Sequence, residues 1–329
     1  MGRQILILLI IGAGFGATYF FLNYEIQTQH ENGRAVGWRI VAKTAGQAPA
    51  GEPAPGVAPV ARPTLRIASF HLGRFDETKL ANRRVSDLLL HLLSRFDLIA
   101  LQGVRGKNQG VLIHLVERIN AATGRTFDFA TCATQQRDGL EHYNAFLFDR
   151  ARVEVDRTKV QFVEDYLGRF RVKPLVGMFR ARGPDANEAF TFALIGVETD
   201  RDQTARELDL LAEAYRAVRR MWPAEDDVIL LGDLESDDQH LGQLGQLLGV
   251  GPLLSGVPTT TRGTHLLDNI LLDRRATREF TGRVEVVDLM REFDLTMPQA
   301  LEVSEHLPIW AEFSVYEGGE AGHVSPRGN

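Results

Sequence analysis

The chain predicts an α/β domain built from two face-to-face β-sheets flanked by helices. Two observations lead there. From residue 65 to residue 315 the sequence is dominated by short apolar or alternating runs bounded by Gly, Pro, Asn and Asp, the signature of strands. Only three or four stretches carry apolar residues at helical spacing. Many strands with few helices fit two stacked sheets with helices outside, because each sheet has an apolar face to bury. The pattern alone leaves other α/β folds open.

Residues 65–70 read as a short buried strand, and 85–93 as a helix, since Val85, Leu88, Leu89, Leu92 and Leu93 fall on one stripe. Residues 98–101 form a second strand. Leu112, Leu115, Val116 and Ile119 define a helix over 111–120. Strands are expected at 127–132, 145–148, 159–163, 176–180 and 190–197, the last two separated by a polar Gly-Pro-Asp-Ala-Asn turn. A strongly amphipathic helix covers 208–222, followed by strands at 228–231, 269–272 and 309–315. The single cysteine, Cys132, excludes an internal disulfide and is expected to be a small buried residue.

Outside this domain the composition changes. After a tail of residues 1–4, residues 5–24 are expected to be a single transmembrane anchor. Their apolar run of about 18 residues reaches roughly 27 Å as a helix, and Tyr19, Phe20, Phe21 and Tyr24 suit an interfacial belt. No small-x-small cleavage site follows, which argues against a removed signal peptide. Arg3 lies on one side and Arg34, Arg39 and Lys43 on the other, so charge does not fix orientation; an extracytoplasmic domain is the default adopted. Residues 25–63 are a juxtamembrane segment and a linker rich in Ala, Pro and Gly. The domain occupies 64–316, and 317–329 is expected to be a disordered tail. A net charge of −6 supplies no general field for gathering nucleic acid, so any nucleic-acid partner would need a local basic patch.

Five short motifs carry the chemistry: Ile67-Ala68-Ser69-Phe70-His71, Asp97-Leu98-Ile99-Ala100-Leu101-Gln102-Gly103, Leu231-Gly232-Asp233-Leu234-Glu235, Leu267-Asp268-Asn269-Ile270 and Ser304-Glu305-His306. Singly each is unremarked; 233–238 alone would be a solvated acidic loop. In this order they resemble the endonuclease/exonuclease/phosphatase superfamily, with its deoxyribonuclease I-like fold, across 64–316. The resemblance implies a phosphate-ester hydrolase using a divalent metal, Mg or Mn. It makes Asp233 the group that orients or deprotonates the attacking water. It gives His306 to the scissile phosphate and Asp268 to the support of that imidazole. Gln102 also matches, and Thr259-Thr260-Thr261 resembles the threonine-rich loop of the family.

Other positions depart from the family. Gly103 stands where the metal-binding Glu belongs, His71 replaces an Asn, Glu235 replaces the phosphate-contacting Asn, and Glu305 replaces an Asp. Asn144 and Glu198 stand at the positions of a catalytic Glu and a second catalytic His. Losing one carboxylate removes much of the protein's share of Mg²⁺ coordination. Two outcomes are open: a metal site rebuilt from Glu235, Glu305, Glu198 and His71, which would shift preference toward Mn²⁺ or Zn²⁺, or an inactive member serving as a binding or scaffolding module at the membrane. His71, Gln102, Glu198 and Arg171 are the expected phosphate contacts, and Glu305 and Glu235 the expected metal ligands. Gly103→Glu is expected to restore Mg²⁺ affinity.

Overall fold

The structure is a computed structural model, describing residues 24–31, 34–42, 63–106, 109–132, 135–137 and 140–320. The chain divides into two compact units, Met1–Val57 and Ala58–Asn329. In the first, β1 (Tyr24–Glu31) and β2 (Arg34–Ala42) pair antiparallel, within the segment expected to follow the anchor. The expected anchor falls outside the described residues except for Tyr24, as does the linker over 44–62. Among the described residues no helix is long and apolar enough to cross a membrane.

The strands of the second unit are β3 (Thr64–Phe75), β4 (Leu98–Gly106), β5 (Phe127–Ala130), β6 (Gln135–Arg137), β7 (Leu140–Asp149), β8 (Val153–Phe162), β9 (Leu175–Ala181), β10 (Thr191–Glu198), β11 (Val228–Asp233), β12 (Val250–Pro252), β13 (Asp268–Asp273), β14 (Phe280–Val286) and β15 (Ile309–Ser314). They form two mixed sheets, ordered β14-β15-β3-β4-β7-β5, with β6 on β7, and β12-β13-β11-β10-β9-β8. Each sheet contains one parallel pair, β3 with β4 and β10 with β11, joined by a helical crossover. The helices are α1 (Glu77–Ala81), α2 (Arg83–Leu93), α3 (Gly110–Thr123), α4 (Thr204–Met221), α5 (Leu289–Phe293) and α6 (Met297–Val303).

Each helix sits where its stripe finds a sheet. The Asn82 side chain caps α2 at the Val85 amide, and α2 buries Val85, Leu88, Leu89, Leu92 and Leu93 in the apolar layer outside the first sheet, which also takes in Leu112, Leu115 and Ile119 of α3. Leu208, Leu211 and Tyr215 of α4 cover the outer face of the second sheet against Ile195, Val228 and Leu230. Between the sheets, Ile67, Leu98, Ala100, Phe146 and Phe148 meet Phe179, Phe192, Leu194, Ile229, Leu231 and Ile270. The architecture is therefore helix, sheet, sheet, helix, the two-sheet fold the sequence predicts.

Phe146 sets the distance between the layers. Its ring lies edge-on to Phe179, centroids 5.2 Å apart, and occupies the space left by Gly177 and Gly196; a Cβ at either glycine would stand 3.3 Å from it. Toward the other end of β3 and β4, Arg152 and Arg125 hold the buried Asp97 at 3.3 and 3.1 Å, and Arg125 reaches Asp149 at 2.7 Å.

Several expectations are corrected. Helices α1, α5 and α6 and strands β1, β2, β6, β12 and β14 are not among the elements the sequence predicts. The strand expected at 127–132 ends at Ala130, and that expected at 159–163 is the end of the longer β8. The tail begins later than expected, because Glu317–Gly319 form a 3₁₀ turn and the buried Glu317 carboxylate accepts from the Thr191 amide at 3.3 Å. Cys132 is half-buried rather than buried; its Sγ donates to the Val160 carbonyl, and burial pushes the thiol up to about 11. Truncating the spacer ring should be among the most damaging core changes: Phe146→Ala is expected to lower stability by about 3–5 kcal/mol in urea unfolding.

Candidate active site

Register carries three carboxylates to one end of the second sheet. Glu198 ends β10 opposite Asp233, which ends β11, and Asp233 in turn lies opposite Asp268, the first residue of β13. On the first sheet His71 of β3 lies opposite Gln102 of β4, and His306 comes just before β15. The sheet ends enclose a cavity of about 500 Å³ lined by His71, Glu198, Asp233, Glu235, Glu305 and His306, with Arg105, Arg171 and Arg201 on its walls.

His306 is the centre of this array. Its Nδ1 lies 2.9 Å from Asp268 Oδ2, and its Nε2 lies 3.8 Å from Asp233 Oδ2, an ion-pair distance too long for a direct hydrogen bond. The support behind it is buried and fully paired. Thr259 donates its hydroxyl to Asp268 Oδ2 at 2.9 Å and accepts from the Leu267 and Asp268 amides. Ser304 accepts from the His306 amide at 3.0 Å and donates to the His71 carbonyl. Burial opposes a charged imidazole, but Asp268, by charge and hydrogen bond, then Asp233 and Glu235, override it, and His306 is pushed up to about 9. Asp233 is pushed up to about 7 by burial and by Asp268, against the pull of His306. A proton acceptor near neutrality thus faces a protonated donor.

His71 packs on His306, ring centroids 4.5 Å apart, and its Nε2 lies 3.6 Å from Glu198 Oε1. The Gly73 amide lies 3.2 Å from its Nδ1, and although burial opposes a charged imidazole, Glu198, by hydrogen bond and charge, then Asp233, raises His71 above its ordinary value. The other Glu198 oxygen accepts from the Gly103 amide at 3.0 Å. Burial raises a carboxylic acid, yet the His71 hydrogen bond and charge prevail, and Glu198 is held below its ordinary value. Gly103 sits at φ +73°, and a Cβ there would come within 2.0 Å of the Gly73 carbonyl oxygen.

Comparison with known proteins gives the same picture. No family model matches the chain. Deoxyribonuclease gamma of Rattus norvegicus is 26% identical over 265 residues, covering 75% of this chain and 83% of its own length. Deoxyribonuclease-1-like 1 of Sus scrofa is 27% identical over 261 residues, covering 76% and 81%. In fold, the chain resembles an endonuclease/exonuclease/phosphatase family protein from Leptotrichia buccalis C-1013-b, with a TM-score of 0.54 at 11% identity, covering 76% of this chain and 99% of that one. It also resembles the human Nocturnin catalytic domain with bound sulfate anion, TM-score 0.51 at 13% identity over 78% and 96%. In sequence and in fold the chain resembles deoxyribonuclease I-like proteins of the endonuclease/exonuclease/phosphatase superfamily.

Against the superfamily pattern, Asp233, Asp268 and His306 come together as one array. Glu235 and Glu305 line the same cavity; Glu235 accepts from Arg201 Nε at 3.2 Å. Arg171 lies on the wall with its guanidinium 2.7 Å from Asp200. Gln102 corrects its expectation as a phosphate contact: it is fully buried, exchanges hydrogen bonds with Ser69 and does not line the cavity. Asn144 is also buried and absent from the lining. Sequence reasoning missed Arg105 and Arg201, cavity cations on a strand and a short turn with no motif around them.

The corner around Gly103 is not vacant space awaiting a carboxylate. The Gly73 main chain closes on Gly103, and Glu198 takes the Gly103 amide. The expectation that Gly103→Glu restores Mg²⁺ affinity is therefore corrected: a side chain at this φ, against a backbone oxygen, should lower stability by at least about 2 kcal/mol and leave Mg²⁺ binding by calorimetry unimproved. The histidine gives a pH prediction. Its folded pKa lies above the unfolded 6.5, so the stabilisation is complete below about pH 6.5 and is lost as pH rises through about 9. In chelator-treated protein, the stability difference between wild type and His306→Gln should shrink by roughly 3 kcal/mol from pH 6 to pH 10 in urea unfolding.

Proposed function

We propose that the domain is a phosphoric ester hydrolase of this superfamily, working through Asp233, His306 and Asp268 with altered metal ligation. The observation that carries the reading is the Asp268–His306–Asp233 array, 2.9 and 3.8 Å between neighbours, at the mouth of the two sheets. Deoxyribonucleases among the relatives support the reaction class. His306, protonated at neutral pH, donates from Nε2 to a non-bridging phosphate oxygen while Asp268 and Thr259 fix its orientation. Asp233 orients a water and takes its proton as the water oxygen bonds to phosphorus and the ester P–O bond breaks. Arg105, Arg171 and Arg201 offset phosphate charge in a cavity otherwise rich in carboxylates.

Superfamily members use a divalent metal. His71, Asp233 and His306 offer ligand atoms within 4.8 Å of one another; a cation taken by the His71 imidazole and the Asp233 carboxylate would leave His306 Nε2 free to donate, and an imidazole ligand fits Mn²⁺ or Zn²⁺ better than Mg²⁺. A cation held there, with Glu235 and Glu305 alongside, would supply Lewis-acid stabilisation of the phosphate oxygens. A second reading is an inactive member kept as a binding module, favoured by the closure of Gly73 on Gly103 and by Asn144 and Glu198 at catalytic positions. We further propose that residues 5–24 tether the domain to a membrane as a single pass, with the domain extracytoplasmic; reporters fused at either end would test orientation.

The full chain in detergent, with Mg²⁺, Mn²⁺ or Zn²⁺, should hydrolyse DNA, RNA or bis(p-nitrophenyl) phosphate, with the highest rate in Mn²⁺ or Zn²⁺. His306→Ala should lower the rate by about 10²–10⁴. Absence of turnover together with absence of divalent binding at this cavity would establish the binding-module reading instead.

A further inference from the structure

At the far end of β11 from Asp233, about 20 Å along the strand, lies a second acidic group that catalysis does not use. Asp227 immediately precedes β11, Glu225 lies in the turn before it, Glu279 immediately precedes β14, and Glu317 lies in the final 3₁₀ turn. All four are buried: Asp227 is 1% exposed, Glu279 2%, Glu225 7% and Glu317 8%. Oxygens of Asp227, Glu279 and Glu317 lie within 4.8 Å of one another. Among the described residues none of these carboxylates forms an ion pair. The contrast with Asp97, also buried but held by Arg125 and Arg152, shows how this fold treats a carboxylate it intends to neutralise internally.

Main-chain donors fix one side of the group and leave the other open. The Glu279 carboxylate takes the Gly318 amide through Oε1, Glu317 takes the Thr191 amide, and Glu225 takes the Asp227 amide at 2.9 Å. Asp227 Oδ1 and Glu279 Oε2 are buried and without a hydrogen-bond partner among the described residues. The hydroxyl of Thr277, 1% exposed, faces the Asp227 carboxylate and favours its charged form, without reaching full hydrogen-bond geometry to any described group. Buried carboxylate oxygens carry a heavy desolvation penalty unless a proton or a cation neutralises them.

We propose that Asp227, Glu279, Glu317 and Glu225, with the Thr277 hydroxyl, form a structural site for a hard divalent cation, Ca²⁺ in preference to Mg²⁺. Ca²⁺ accepts six to eight oxygens in irregular geometry, whereas Mg²⁺ holds on to several waters that so closed a group has little room for. The ion would join the start of β11, the start of β14 and the last turn of the domain, closing it as a clasp.

The test is thermal melting of the EGTA-stripped full chain at pH 7.5, titrated with Ca²⁺ or Mg²⁺, with Tb³⁺ luminescence as a direct probe of occupancy. At about 100-fold over its dissociation constant, Ca²⁺ should raise Tm by roughly 5–10 °C, and Mg²⁺ should do so less. Glu279→Gln should abolish the Ca²⁺ shift and the Tb³⁺ signal, and Asp233→Asn, at the opposite pole, should keep both. If Glu279→Gln does not fold, Glu317→Gln serves, with at least a tenfold weaker Tb³⁺ titration expected. Superimposable melts with and without Ca²⁺, or a shift lost in Asp233→Asn but kept in the cluster variants, would overturn the proposal. Neither result bears on whether the domain hydrolyses phosphate esters.

Discussion

Face-to-face stacking of the two sheets is the constraint on which the chemistry depends, because the reacting groups belong to different sheets. Asp233, Asp268 and Glu198 end strands of one; His71 and His306 belong to the other. The gap between them is set deep inside by aromatic rings, above all Phe146 fitted against Gly177 and Gly196. A sheet separation near 10 Å lets an imidazole from one layer touch a carboxylate from the other. A change in core volume would be felt at the 2.9 Å contact of His306 with Asp268.

The two ends of that stack handle buried charge differently. At the mouth, His306 gathers the fields of Asp268 and Asp233, and His71 gathers that of Glu198, so each imidazole compensates a carboxylate. At the base, Asp97 is paired with arginines, while Asp227, Glu279 and Glu317 have no counter-charge among the described residues. Burying uncompensated carboxylates is far more costly than burying paired ones, which is why the unpaired group is the feature of the fold that calls for a ligand.

The sequence made the long, strongly patterned elements legible. The apolar runs of β4 and β11 and the stripes of α2 and α4 could be placed because periodicity is clear over many residues. Helices α1, α5 and α6 span only five to seven residues, too few for a helical period, and β14 is an edge strand with mostly polar faces. Asp233, Asp268 and His306 were legible through their motifs, and Glu198 through strand register. The Gly103 corner was not: its obstacle is a carbonyl thirty residues away on a bulged neighbour, which no local pattern encodes. Nor was the base cluster, whose members lie in three separate turns; its one visible hint is Glu225-Asp226-Asp227 set directly against an all-apolar strand.

The parallel pairs within each sheet have an implication for how this scaffold diversifies. Because β3–β4 and β10–β11 are each bridged by helices on the outside, their carboxyl ends converge on the same rim, and the reacting groups ride on strand termini anchored along their whole length. The segments that shape the rim include 199–203, after β10, and 262–265, in the loop before β13 and beyond the Thr259 that holds Asp268. Remodelling them alters what docks while leaving the hydrolytic geometry in place, so selectivity and chemistry can be inherited, and engineered, as independent parts.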